Sequence, residues 1–134
     1  MGRKSVGVLA ACGIVLAAAS SARAHHSFAA AFDASHPVAI DGVVTQIRLE
    51  NPHAWFFIDA TDATGAVQRW GFEGGTPTSL VRSGLKPGFI KVGDRVTMKG
   101  WRARDLSQNA AAVREIVLAD GRAFAVGPTL APAR

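Results

Sequence analysis

Nine residues near the middle of the chain restrict its fold more than any other stretch. From His53 to Thr61 the sequence reads His-Ala-Trp-Phe-Phe-Ile-Asp-Ala-Thr. Side chains alternate across a strand, so Ala54, Phe56, Ile58 and Ala60 share one face, and His53, Trp55, Phe57 and Asp59 share the other. The first set is wholly apolar and needs a core packed against it. A period of two sustained over this length points to a half-buried strand. Asn51-Pro52 separates it from what precedes, because proline has no ladder donor and holds its predecessor extended.

The remaining segments read as partners for this strand. Val38 to Leu49 is extended: Val38 and Ile40 alternate, Asp41-Gly42 interrupts, and the β-branched Val43, Thr45 and Ile47 resume. A glycine inside such a run marks a bulge or a sharp bend. Asp62-Ala63-Thr64-Gly65 is a turn, from which Val67 to Glu73 returns as a hairpin with Trp70 and Phe72 on its inner side. Thr76-Pro77 is a helix start, a capping hydroxyl followed by proline, and Gly84 a stop, which predicts a short helix over Thr78–Ser83. Arg95 to Trp101, Ala112 to Ala119 and the short Arg122 to Val126 read as further strands. Three strands, a short helix and two more strands is the OB order, in which strands two and three commonly carry the ligand. The expected fold is therefore all-β: a five- to six-stranded OB-like barrel with one short helix between strands 3 and 4. A sandwich or a roll fits the same string. Trp70, Phe72, Phe56, Ile58, Val96, Met98, Ile116 and Leu118 are the expected core.

The start of the chain belongs to transport. Met1-Gly2-Arg3-Lys4 is basic, Val6 to Ala19 is an apolar run of 14 residues, and Ala22-Arg23-Ala24 places small residues where a signal peptidase reads. The run is short of the roughly 20 residues a membrane span needs. Cleavage is expected before His25, with cleavage after Ala22 as an alternative. Leu9-Ala10-Ala11-Cys12 imitates a lipoprotein box, but the residues after it stay apolar. The expected division is a signal peptide at 1–24, a lead-in at 25–36, the β domain at 37–126 and a flexible tail at 127–134. A periplasmic or secreted protein with no membrane span after cleavage follows.

Processing changes what the composition implies. The full chain carries a net charge of +5, but Arg3, Lys4 and Arg23 leave with the leader and no acid does, which brings the charge to +2. Little is left to attract a polyanion, and nucleic acid is not an expected partner. Cys12, the single cysteine, leaves too, so neither disulfide nor thiol chemistry is open to the mature chain.

No nucleophile elbow, phosphate loop or zinc-protease motif is present, and the scattered carboxylates suggest no acid–base pair, so no catalytic residue is assigned. The histidines are distributed unusually. His25, His26, His36 and His53 are the only four, and two of them open the mature chain. An N-terminal histidine offers its amine and its ring to one cation, and nitrogen ligands suit Cu(II) best among common divalent ions. His25, His26 and His53 are the candidate metal ligands and Cu(II) the candidate cofactor, set against the plainer reading of unpartnered polar residues. Trp55, Phe57, Asp59 and Glu73 form a candidate ligand face, set against a face covered by other parts of the chain.

These residues also carry a resemblance. His25-His26-Ser27-Phe28, Phe32-Asp33, Asn51-Pro52-His53-Ala54-Trp55, Trp70 with Glu73, and Asp120-Gly121-Arg122 resemble a family of small exported bacterial proteins known only as a domain of unknown function. The resemblance implies export and an OB-like β domain, lends no activity, and leaves His36 outside the site because that position varies. The expected function is a non-enzymatic binding module of the cell envelope, its partner an unidentified small ligand or envelope protein. A copper-dependent oxidant built on the N-terminal histidine amine, and an OB-like module binding a ligand or protein without metal, are the alternatives.

Overall fold

The structure, a computed structural model, describes residues 28–127. Residues 28–31 are helical and belong to a unit separate from the β unit that begins at Phe32. The β unit holds β1 (Phe32–Arg48), β2 (Trp55–Thr61), β3 (Val67–Glu73), a helix α1 (Pro77–Arg82), β4 (Arg95–Ala103), β5 (Ala110–Leu118) and β6 (Ala123–Ala125). The strands form one six-stranded sheet in the order β3-β2-β1-β4-β5-β6. It is antiparallel except where β3 and β5 pair in parallel, Gly71 to Ala110 through Glu73 to Ala112. That pairing completes a ring of hydrogen bonds through β1, β2, β3, β5 and β4, with β6 added outside it on β5. The order of elements along the chain, closure through five strands and the helix between β3 and β4 follow the sequence reading.

β1 makes the closure possible by serving two neighbours. From Pro37 to Val43 it pairs with β4, and from Val43 to Arg48 with β2. Gly42 sits at the changeover, where a Cβ would lie 2.7 Å from the Asp59 carbonyl oxygen. Only glycine admits the neighbouring backbone so closely. The ladder also slips between Val44 and Gln46, an irregularity that bends the strand further.

Several boundaries differ from the sequence reading by one or more residues, and two have a clear physical reason. β1 starts at Phe32, inside the expected lead-in, because Phe32 is buried and opposes Ala103. Residues 33–36 then leave the ladder. The Asp33 carboxylate accepts bonds from the Ser35 amide at 3.0 Å and the Ser35 hydroxyl at 2.6 Å, and this local loop replaces strand pairing. These bonds, with the His36 ring, hold the Asp33 carboxyl well below its ordinary range. The helix begins one residue earlier than expected. Thr76 is its cap, accepting from the Ser79 amide at 3.1 Å, and Gly84, at φ 90°, ends it while the Leu85 amide reaches back to the Leu80 carbonyl.

Phe56, Ile58, Phe72, Val96, Met98, Ile116 and Leu118 are buried, joined by Val44, Leu80 and Val113. Trp70 is the exception in the expected core. It packs against the cluster but is only partly buried, and the Arg102 guanidinium lies 4.4 Å from its ring centroid. Gly100 is as constrained as Gly42: a Cβ there would meet the Ala112 carbonyl oxygen at 1.9 Å, where the β4–β5 register shifts.

Phe56 is 1% exposed, so Phe56→Ala is expected to cost about 3–5 kcal/mol in denaturant unfolding. A loss under about 1 kcal/mol would place its side chain on the wrong face. Gly100→Ala adds one methyl against a backbone oxygen that cannot retreat without breaking the ladder. Its expected cost is about 3 kcal/mol or more in the same assay, and a neutral result would contradict the β4–β5 register.

Candidate functional site

The alternation along β2 divides its residues as the sequence requires. Ala54, Phe56, Ile58 and Ala60 are buried, Trp55, Phe57 and Asp59 are half-buried, and His53 is exposed. The hairpin register sets Trp55 opposite Glu73, Phe57 opposite Gly71 and Asp59 opposite Arg69 on the outer face. The four candidate ligand-face residues therefore share one surface.

His53 stands where the hairpin is extended beyond its ladder. The Ala54 amide donates to the Gly75 carbonyl, and the Gly74 amide to the Ala54 carbonyl. Pairing at this level holds the His53 ring against the end of β3. Its Nδ1 lies 3.3 Å from the Gly74 carbonyl oxygen and 3.3 Å from Glu73 Oε1. A carbonyl can only accept, so Nδ1 carries the hydrogen. In the neutral ring the lone pair then resides on Nε2, and the ring is half exposed. A carboxylate and a carbonyl holding one ring nitrogen is the arrangement that orients histidine for a ligand at the other.

Asp59 does not contribute to this arrangement. Its carboxylate accepts from Arg69 Nε at 3.1 Å, an exposed pair worth about 1 kcal/mol at most. Between the two carboxylates lie Trp55 and Phe57, with ring centroids 6.1 Å apart and planes 15° apart. Gly71 makes room for both rings. A Cβ on it would sit 3.2 Å from the Phe57 ring and 3.6 Å from that of Trp55. From the other side Arg48 places its guanidinium 5.0 Å from the Phe57 centroid. Gly71 and Arg48 were not among the residues singled out from sequence. The signal for Gly71 was present, since matching Val67–Glu73 against the preceding strand sets a glycine opposite an aromatic residue.

His25 and His26 lie outside the described residues. Among the described residues no three His, Cys, Asp or Glu side chains are grouped to hold a metal ion. His36 is 73% exposed, with its Nδ1 2.9 Å from Asp33, and takes no part in the outer face of the hairpin.

Residues 11–112 match the family of unknown function DUF6152. The chain belongs to this family. The matched span includes His25, His26 and Asn51-Pro52-His53-Ala54-Trp55, the most specific parts of the resemblance read from sequence, and ends within β5, short of Asp120-Gly121-Arg122. No curated protein and no solved structure matches the chain. Membership in the family brings no activity, so the chemistry rests on the residues themselves.

The geometry at His53 makes a direct prediction. Two-bond proton–nitrogen spectra recorded with the ring neutral should show hydrogen on Nδ1 and a bare Nε2. Dominance of the Nε2–H form would mean that the Gly74 carbonyl does not hold the ring.

Proposed function

We propose that this chain is an exported, non-enzymatic binding module of the cell envelope whose ligand face is the outer side of β2 and β3. We propose further that it binds a transition metal, Cu(II) by donor chemistry, through His53 together with His25 and His26. One observation carries the reading: His53 is held through Nδ1 by Gly74 and Glu73, which leaves Nε2 without a hydrogen on a half-exposed ring. Neutral imidazole nitrogen is a good ligand for Cu(II), and a neighbour that fixes the ring lowers the cost of ordering it on binding. Processing before His25 would add a terminal amine as a further nitrogen. With no cysteine left after Cys12 departs and Met98 buried in the core, the nitrogen set favours Cu(II) over softer ions.

A second reading rests on Trp55 and Phe57. A paired aromatic surface beside Arg48, Arg69 and Glu73 suits a ligand with an apolar face and polar edges and requires no metal.

Titration with Cu(II) separates the two. Protein whose intact mass begins at His25 is compared with a form carrying one extra N-terminal residue and with His53→Ala. Each change is expected to weaken Cu(II) binding by about tenfold or more, since each removes a nitrogen ligand. Equal affinities in all three forms, or no stoichiometric binding, would refute the copper site and leave the aromatic face as the remaining ligand surface.

A further inference from the structure

The outer face of β1, β2 and β3 is ordered more closely than two aromatic rings on a surface. Strand register sets its residues in rows. Arg48, Trp55 and Glu73 lie side by side across the three strands, so the indole has a guanidinium on one flank and a carboxylate on the other. In the next row Phe57 stands between Gln46 and Gly71, and beyond it Asp59 faces Arg69. Both rings are thus bordered by groups that donate hydrogen bonds and by groups that accept them.

These borders are held in place. Arg69 Nε donates to Asp59 Oδ1 at 3.1 Å, Glu73 Oε1 lies 3.3 Å from the His53 ring, and Arg48 rests 5.0 Å from the Phe57 centroid. Each contact leaves capacity over, because a carboxylate has two oxygens and a guanidinium five N–H groups. The charges also cancel: Arg48 and Arg69 stand against Asp59 and Glu73, so the rows select neither sign of ligand. An acceptor beside a donor complements two adjacent hydroxyls, one donating to the acid and the other accepting from the base. Apolar ring faces between such pairs complement the C–H face of a sugar. An acyl chain would instead bury these charged groups against hydrocarbon.

We propose that this face binds a neutral oligosaccharide, with sugar rings on Trp55 and Phe57 and hydroxyls on Glu73 and the Asp59–Arg69 pair. The inference rests on the aromatic-face reading, to which it gives a chemical class of ligand, and it requires no metal.

Cellotetraose, maltotetraose and the N-acetylglucosamine tetramer test it, each titrated with chelator present into nitrogen-labelled mature protein. At least one should give saturable shifts at the Trp55 indole N–H and the amides of β2 and β3, with Met98 and Ile116 unmoved. Trp55→Ala should weaken that saccharide by about tenfold or more, and Asp59→Asn by several-fold. Unchanged Met98 and Ile116 signals in both variants show that the fold persists. Added salt should leave the affinity unchanged, as a neutral ligand requires. No saturable binding by any of the three, shifts confined to other surfaces, or an unaffected Trp55→Ala variant overturns the proposal. Saturable shifts at Trp55 and Phe57 from p-cresol, with none from the saccharides, also overturn it but keep the aromatic face as a ligand surface. If neither p-cresol nor a saccharide binds there, the aromatic-face reading falls as well.

Discussion

β1 must be two strands at once. A five-stranded ring needs one element that pairs with β4 along its first half and with β2 along its second, and the backbone at the changeover must pass close to both. Gly42 permits this because no side chain intervenes between its backbone and the Asp59 carbonyl. With β1 bent there, β4 and β5 are carried round to where β5 can meet β3. The reward is fewer edges: each ring strand pairs with two others of the ring, β5 carries the three-residue β6 as a third partner, and β3 meets β5 over Gly71–Glu73. A short terminal strand is among the cheaper ways to blunt an edge against pairing with another chain.

Closure was legible in the sequence because it rests on local signals that agree with one another. The alternation along β2, the Asp62–Gly65 turn and the Thr76-Pro77 start each read correctly, since each is set by neighbours within a few residues. What was not legible depends on distant partners. Phe32 joins β1 because Ala103 lies opposite it, which no window around Phe32 reveals. Trp70 looks like a core residue by its alternation with Phe72, yet Arg102, far along the chain, covers its ring at the margin of the core. The candidate site divides in the same way. That His53, Trp55, Phe57, Asp59 and Glu73 share a face follows from periodicity and a hairpin register. Which carboxylate meets the histidine does not, because that turns on Gly74 offering a bare carbonyl at the end of β3.

Electrostatics on this domain is mostly short-ranged and local. Asp62, Asp105 and Asp120 are each held below the ordinary carboxyl value chiefly by hydrogen bonds from residues two positions on, Thr64, Ser107 and Arg122. These carboxylates shape turns and are satisfied where they stand. The same is true of Asp33 at the excursion in β1. Glu73 is different, since its partner His53 comes from the segment ahead of β2 and keeps one nitrogen unused. Arg82 and Lys86 form no ion pair among the described residues, while Lys91 has Asp94 three positions on, whose carboxylate accepts from the Lys91 amide at 2.9 Å.

The outer face and an apolar groove between the end of β1, α1 and the 85–90 loop are built from the same two strand segments. At the end of β1, Ile47 lines the apolar groove, Arg48 lies over Phe57 on the outer face, and Leu49, just past the strand, lines the groove again. On β2, Phe56 forms part of the groove floor while Trp55 and Phe57 face outward. The pleat that separates core from surface thus separates the groove from the outer face, with a single layer of backbone between them. A ligand on one side need not displace a ligand on the other. Any energetic link between them has to pass through the pairing of β1 with β2, which the bend at Gly42 and the slip beyond Val44 already hold in one register.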